Sequence, residues 1–219
     1  MANLNFNLFF DFDNTITTVD VLDELIKKFS LNKNWQKLEV AWQKGEIGSK
    51  ECLKGQLAGI RISKKALLNY LRKVKIDRYF LKLISFLKAY NIKPIILSDS
   101  FSFMIKIILK NYGIKNIPIY ANQLRFSYNR LIPDFPLVNK ACLRCGHCKR
   151  KSLEENIYDG KLNIYIGDGL SDLCAASCAD LVFAKGRLLK SLKRNKKVIP
   201  IKNLKDVYFY LKRYSKCKK

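Results

Sequence analysis

The strongest constraint on this chain is a short apolar run, Phe6 to Phe10, that stops abruptly at two acids, Asp11 and Asp13. Its shortness and its three phenylalanines suit a buried strand better than a helix. Taken alone, an Asp-x-Asp step is most often a turn or a helix cap. Here the same layout recurs. Ile95 to Leu97 forms a second apolar run, entered by Pro94 and left through Ser98-Asp99-Ser100. Leu162 to Ile166 forms another, stopped by Gly167-Asp168-Gly169. Ile117 to Tyr120 and Leu181 to Ala184 read as further strands, and residues 124–138 as a hairpin turning near Tyr128-Asn129.

Between the strands the spacing turns helical. Leu22, Leu25, Ile26 and Phe29 recur at helical intervals, as do Leu67, Leu68, Leu71 and Val74, then Phe80, Leu83, Ile84 and Leu87. Phe101, Met104, Ile105, Ile108 and Tyr112 form another such face, closed by Gly113. Leu204, Val207, Tyr208 and Leu211 mark a final helix. Alternating strands and helices predict an α/β fold with a mostly parallel sheet. The stretch 17–78 carries no strand signal, so it is expected to be a helical insertion, leaving 1–16 and 79–219 as the core.

In such sheets ligands bind outside the carboxyl ends of the strands. Asp11, Asp13, Ser98, Asp168 and Asp172 all fall there. Several carboxylates meeting at one edge repel unless a cation joins them. An oxygen-only donor set suits Mg2+, which also holds substrate phosphates. Asp11, first off its strand, is placed to attack phosphorus as a nucleophile. Asp13 is placed to act as general acid and then base. Asp168 is expected to bind the metal and Asp172 to support the metal or its waters. The hydroxyls of Thr15 and Ser98 and the amides of Asn14 and Gly169 are expected around the phosphoryl oxygens, with a lysine to neutralise them.

Together these motifs resemble the haloacid dehalogenase-like hydrolases. Phe10-Asp11-Phe12-Asp13-Asn14-Thr15-Ile16-Thr17 matches their first motif, Ile96-Leu97-Ser98-Asp99 the second, and Gly167-Asp168-Gly169-Leu170-Ser171-Asp172 the fourth. Ile47-Gly48-Ser49-Lys50-Glu51-Cys52, Tyr120-Ala121-Asn122, Cys145-Gly146-His147-Cys148-Lys149 and Ala179-Asp180-Leu181-Val182-Phe183-Ala184-Lys185 extend the likeness to the MtnX-like subgroup of subfamily IB. The resemblance implies a Rossmann-like core, a helical cap after the first strand, and phosphatase activity on a small phosphorylated metabolite, in methionine salvage for the named member. It implies magnesium held by Asp11, Asp168 and the backbone carbonyl of Asp13. It puts the third-motif lysine at Lys149, with Lys151 as the competitor. It makes Ser49, Glu51, Cys52 and Gln56 candidates for reading the leaving group, and Asp99 a phosphate-site neighbour of Ser98. Asn14 stands where many relatives carry Gly, a place where Asn tolerates a left-handed backbone.

The formal net charge is +24, and 14 of the last 35 residues are Lys or Arg. A nucleic-acid or membrane module with a vestigial site, or a phosphotransferase sharing the covalent intermediate, are the competing readings. A solvated lysine-rich surface is the simpler account, so no specific nucleic-acid partner is expected. No apolar run approaches the roughly 20 residues that span a bilayer. The chain is expected to be a cytoplasmic monomer or homodimer. Seven cysteines, an odd number, argue against a disulfide framework. Cys142, Cys145 and Cys148 have metal-like spacing but no evident fourth ligand. They read as thiols packed under the third-motif loop, and Cys174 and Cys178 as small core residues. Trp35 and Trp42 read as cap core.

Overall fold

Residues alternate faces along β1 (Phe6–Phe10), and that alternation builds two layers of core. The chain is described here by a computed structural model covering residues 4–139, 142, 144–192 and 197–217. Leu8 and Phe10 join one buried cluster, whereas Phe9 joins the other. Both sheet faces are therefore covered by helices, as a parallel sheet requires.

Four helices follow β1: α1 (Val21–Phe29), α2 (Asn34–Lys44), α3 (Ser49–Ala58) and α4 (Lys64–Leu71). An isolated antiparallel bridge, Thr17 to Ile76, ties together the two ends of this excursion. Local sequence sets its helix starts: Asp20 caps α1 through the Asp23 amide, and Ser63 caps α4 through the Ala66 amide. Gly45, at φ 76°, closes α2 in the left-handed conformation. The chain then returns through α5 (Arg78–Ala89), β2 (Ile95–Phe101), α6 (Ser102–Asn111), β3 (Ile119–Ser127) and β4 (Arg130–Asp134). Next come α7 (Lys149–Glu154), β5 (Leu162–Gly167), a single 3-10 turn (Leu170–Asp172) and α8 (Leu173–Ser177). The last elements are β6 (Leu181–Ala184), α9 (Gly186–Leu192), β7 (Val198–Pro200) and α10 (Leu204–Cys217).

The seven strands lie in the order β4-β3-β2-β1-β5-β6-β7. All neighbours are parallel except β3 and β4, which form the expected hairpin through Tyr128 at φ 52°. The fold is thus α/β, with β1 at the centre and its partners β2 and β5 on opposite sides. Three strands differ from expectation. β2 runs on through Ser98-Asp99-Ser100 to Phe101 instead of stopping at Leu97, because it keeps pairing with β3 across a register shift. β3 starts at Ile119 rather than Ile117, because Pro118 has no N–H for the ladder and contributes only its carbonyl, to the Ile96 amide. β7 was not foreseen, since two half-buried residues and an exposed proline give no periodic signal. Lys193, Arg194, Lys196, Lys218 and Lys219 of the basic terminal stretch lie outside the described residues. Among the described residues no helix is long and apolar enough to cross a membrane.

Phe10 is fully buried and meets Phe80 edge to face at 5.5 Å between ring centres. Truncating it leaves a cavity directly behind Asp11. Phe10→Ala is expected to cost about 3–5 kcal/mol, read as a lower midpoint in urea unfolding.

Candidate active site

The three strand-end clusters meet at the carboxyl edge of the sheet beside β1. The Asp11 amide donates to Ile166 at 2.9 Å, extending the β1–β5 ladder by one residue and fixing where its side chain emerges. Asp11, Asp168 and Asp172 each bring a carboxylate oxygen within 4.8 Å of the others. Lys149, the first residue of α7, is buried among them. Its Nζ lies 2.6 Å from Asp11 Oδ1, 2.7 Å from Asp172 Oδ1 and 3.3 Å from Ser171 Oγ. Lys151 instead lies at the surface beside Glu155.

Asp172 is fully buried, and both its oxygens are occupied. Oδ1 accepts from Lys149 and from the Tyr165 hydroxyl at 2.6 Å; Oδ2 accepts from the amides of Asp168 and Gly169 at 3.0 and 2.9 Å. It therefore anchors the loop and the lysine, which leaves it poorly placed as a metal ligand. Gly167 is required beneath it: a Cβ there would fall 2.6 Å from Asp172 Oδ2.

Several groups expected at the phosphoryl oxygens are committed elsewhere. The Thr15 hydroxyl donates to Asp168 Oδ1 at 3.0 Å, so it orients that carboxylate. The Gly169 amide is spent on Asp172, and the Asn14 amide on Val19 and Thr17. Asn14 does adopt the left-handed backbone, at φ 54°. Ser98 is buried and Asp99 half-buried, and both line the cavity. Asp99 accepts from the His147 amide at 3.0 Å.

The cavity, about 440 Å³, has Asp11, Asp13, Ser98, Lys149 and Asp168 at its floor. Much of its remaining wall comes from the helices after β1, among them Trp35, Glu39, Trp42, Ser49, Cys52 and Gln56. Ser49 Oγ accepts from Trp42 Nε1 at 2.9 Å, and Gln56 Nε2 donates to Glu39 at 3.3 Å. Glu51 is exposed and lies outside this wall. Trp35 and Trp42, expected as cap core, are half-buried and line the cavity.

Electrostatics follow from crowding. Burial, then Asp172, push the Asp11 carboxyl well above its usual range despite Lys149. Burial and Asp172 push Asp168 up to about 6. Asp13 is also raised, by burial first and then by Asp20, against the Val21 amide that donates to it at 2.8 Å. Burial opposes the charge on Lys149, but Asp11 and Asp172 outweigh it and hold it protonated. One ammonium faces three carboxylates. Asp11 and Asp168 each keep an oxygen outside the hydrogen bonds described, so the donor set fits a small, hard divalent cation.

The family described as Putative Phosphatase matches residues 6–199. The chain belongs to that family. It is a phosphatase, and its motifs resemble those of the haloacid dehalogenase-like hydrolases. A 2-hydroxy-3-keto-5-methylthiopentenyl-1-phosphate phosphatase of Brevibacillus brevis is 28% identical over 186 residues, covering 83% of each chain. A Bacillus pumilus protein of the same name is 30% identical over 188 residues, covering 84% of this chain and 80% of its own. A solved phosphoserine phosphatase, titled as a phospho-aspartyl intermediate analogue, superposes with a TM-score of 0.73 at 18% identity, covering 94% of this chain and 99% of its own.

Three neighbours of the site, Tyr165, Asp20 and Asp23, were not anticipated from the sequence of this phosphatase. Tyr165 stands between two inward isoleucines of β5, so strand alternation turns it to the opposite face, toward Asp172. Asp20 and Asp23 join the cavity wall through the start of α1. Of the cysteines, Cys142 and Cys145 approach to 3.8 Å between sulfurs. Among the described residues the three thiols of that run form no metal-sized cluster. Cys174, expected in the core, is exposed.

The raised Asp168 carboxyl sets a pH dependence. The folded state keeps this proton up to about pH 6, whereas the unfolded chain releases it nearer 3.8. The folded protein thus binds the extra proton, and this contribution to stability is lost as pH rises through that window. In EDTA, the unfolding free energy of wild type relative to Asp168→Asn is expected to fall between those pH values. Added magnesium is expected to reverse the fall in urea titrations.

Proposed function

We propose that this phosphatase is a magnesium-dependent phosphomonoesterase that hydrolyses a small phosphorylated metabolite through an aspartyl phosphate on Asp11. The observation that carries the reading is the Lys149 ammonium 2.6 Å from Asp11 Oδ1, at a cavity floor shared with Asp168. Asp11 and Asp168, with the Asp13 backbone carbonyl, would hold the metal, whose charge would offset that of the phosphoryl group. Lys149 keeps Asp11 oriented and supplies a fixed positive charge beside the transferring group. Ser98 offers its hydroxyl to a phosphoryl oxygen.

In the first step the Asp11 carboxylate attacks phosphorus and the P–O bond to the leaving group breaks. Asp13, whose burial favours its protonated form, gives that proton to the leaving oxygen. In the second step Asp13 takes a proton from water, which attacks the aspartyl phosphate and frees Asp11 and inorganic phosphate. The helices of residues 17–78 act as the cap, with Ser49 and Gln56 facing the leaving group. The solved phospho-aspartyl analogue of a fold relative supports the covalent step. The names of the Brevibacillus and Bacillus relatives support a small metabolite ester and a place in methionine salvage. The cavity volume falls in the range of small-molecule sites.

Asp11→Asn is expected to abolish turnover of p-nitrophenyl phosphate with magnesium, and EDTA to abolish it in wild type. Asp13→Asn is expected to lower kcat by about 10²- to 10⁴-fold. Wild-type-like turnover by Asp11→Asn would reject Asp11 as the nucleophile.

A further inference from the structure

The lysine at the centre of the site rides on a helix of six residues, which is too short to hold its own position. What locks α7 is a side chain that the reaction above leaves without a task. His147 lies two residues before Lys149 and is 1% exposed. Its amide donates to Asp99 Oδ1 at 3.0 Å. Its ring nitrogens reach in opposite directions: Nδ1 is 3.0 Å from the Ser98 carbonyl oxygen, and Nε2 is 2.8 Å from Ser152 Oγ.

These partners fix the tautomer. A carbonyl oxygen only accepts, so Nδ1 carries the proton and donates to Ser98. Nε2 then has a free lone pair, and the Ser152 hydroxyl donates to it. Burial and the Lys149 ammonium hold the imidazole pKa down at about 4, which keeps the ring neutral. One end of this bridge is Ser98, in the carboxyl-terminal half of β2 where its register shifts, on the strand next to β1. The other is Ser152, one helical turn beyond Lys149 on α7. The same loop reaches the cap helices, because the Ser49 amide donates to the Arg144 carbonyl at 2.8 Å.

We propose that His147 is a positioning residue that, as the neutral Nδ1–H tautomer, holds Lys149 in register with the Ser98–Asp99 segment of β2 and so aligns both halves of the phosphate site. It touches neither substrate nor reacting atoms; it acts through Lys149 and Ser98. Its kinetic consequences rest on the phosphatase reading, whereas its tautomer does not.

His147 is the only histidine in the chain, so isotopic labelling of histidine nitrogen gives one pair of ring signals to follow by NMR. The expected spectrum has Nδ1 protonated and Nε2 bare from about pH 5 to 8. His147→Ala is expected to lower kcat for p-nitrophenyl phosphate by about 10- to 100-fold, with a smaller change in KM. Orthovanadate inhibition is expected to weaken in parallel. His147→Asn, which keeps a donor near the Nδ1 position, is expected to recover part of the loss. Ser152→Ala keeps the imidazole and its Nδ1–H bond to the Ser98 carbonyl but removes its second partner, and is expected to lower kcat less while leaving the tautomer unchanged. That variant carries the test if His147→Ala fails to fold. A protonated Nε2 in wild type would overturn the proposal. So would an unchanged kcat in Ser152→Ala, or a loss that tracks thermal stability alone with Asn no better than Ala. A wild type without turnover would reject the phosphatase reading and leave the NMR result to decide the clamp.

Discussion

A buried ammonium between two buried carboxylates organises this molecule. Taking Lys149 out of water costs several kcal/mol, and that cost is offset only because Asp11, Asp172 and Ser171 all receive its protons. The same arrangement leaves a charge excess. Burial first, and then the crowding of three carboxylates around one lysine, raise Asp11 and Asp168 even beside it. Fold and chemistry are linked here, since a cation that relieves the crowding also completes the site.

Much of this arrangement was legible in the sequence, and the reason is geometric. A buried strand must end where polar residues begin, so the bounds of β1 and β6 follow directly from apolar runs and their punctuation. Asp11, Ser98, Asp168 and Lys149 were found because strand ends and motif spacing mark them. What escaped was the destination of each hydrogen bond. Nothing local says that the Thr15 hydroxyl crosses to Asp168, or that the Gly169 amide turns back to Asp172. Those pairings depend on segments more than a hundred residues apart, or on the tightness of one turn. Glu51 is different, because helical phase could have excluded it. Ser49, Cys52 and Gln56 are spaced three and four apart on one face of α3, and Glu51 falls off that face.

The cavity also separates long-range from short-range electrostatics. The chain as a whole is strongly basic, so an anionic ester meets an attractive field at a distance. Inside, Asp20, Asp23 and Glu39, with Lys27, line the wall built by the helices after β1, and burial with its acidic neighbours raises Asp23 to about 6. Attraction therefore does not simply increase with depth. Lys149 is the buried positive group beside Asp11, with Arg187 also lining the cavity, which favours the phosphoryl end of a ligand there.

The two flanks of the sheet carry a further consequence. On one side β4 contains Pro133, which has no N–H to give, between charged Arg130 and Asp134 at its ends. On the other side β7 is three residues long and finishes at Pro200. Neither border offers a continuous row of free donors to a passing strand. The long parallel sheet, rich in aromatic and branched side chains, is thereby kept from growing by edge-to-edge addition, and its margins guard against fibre-like aggregation.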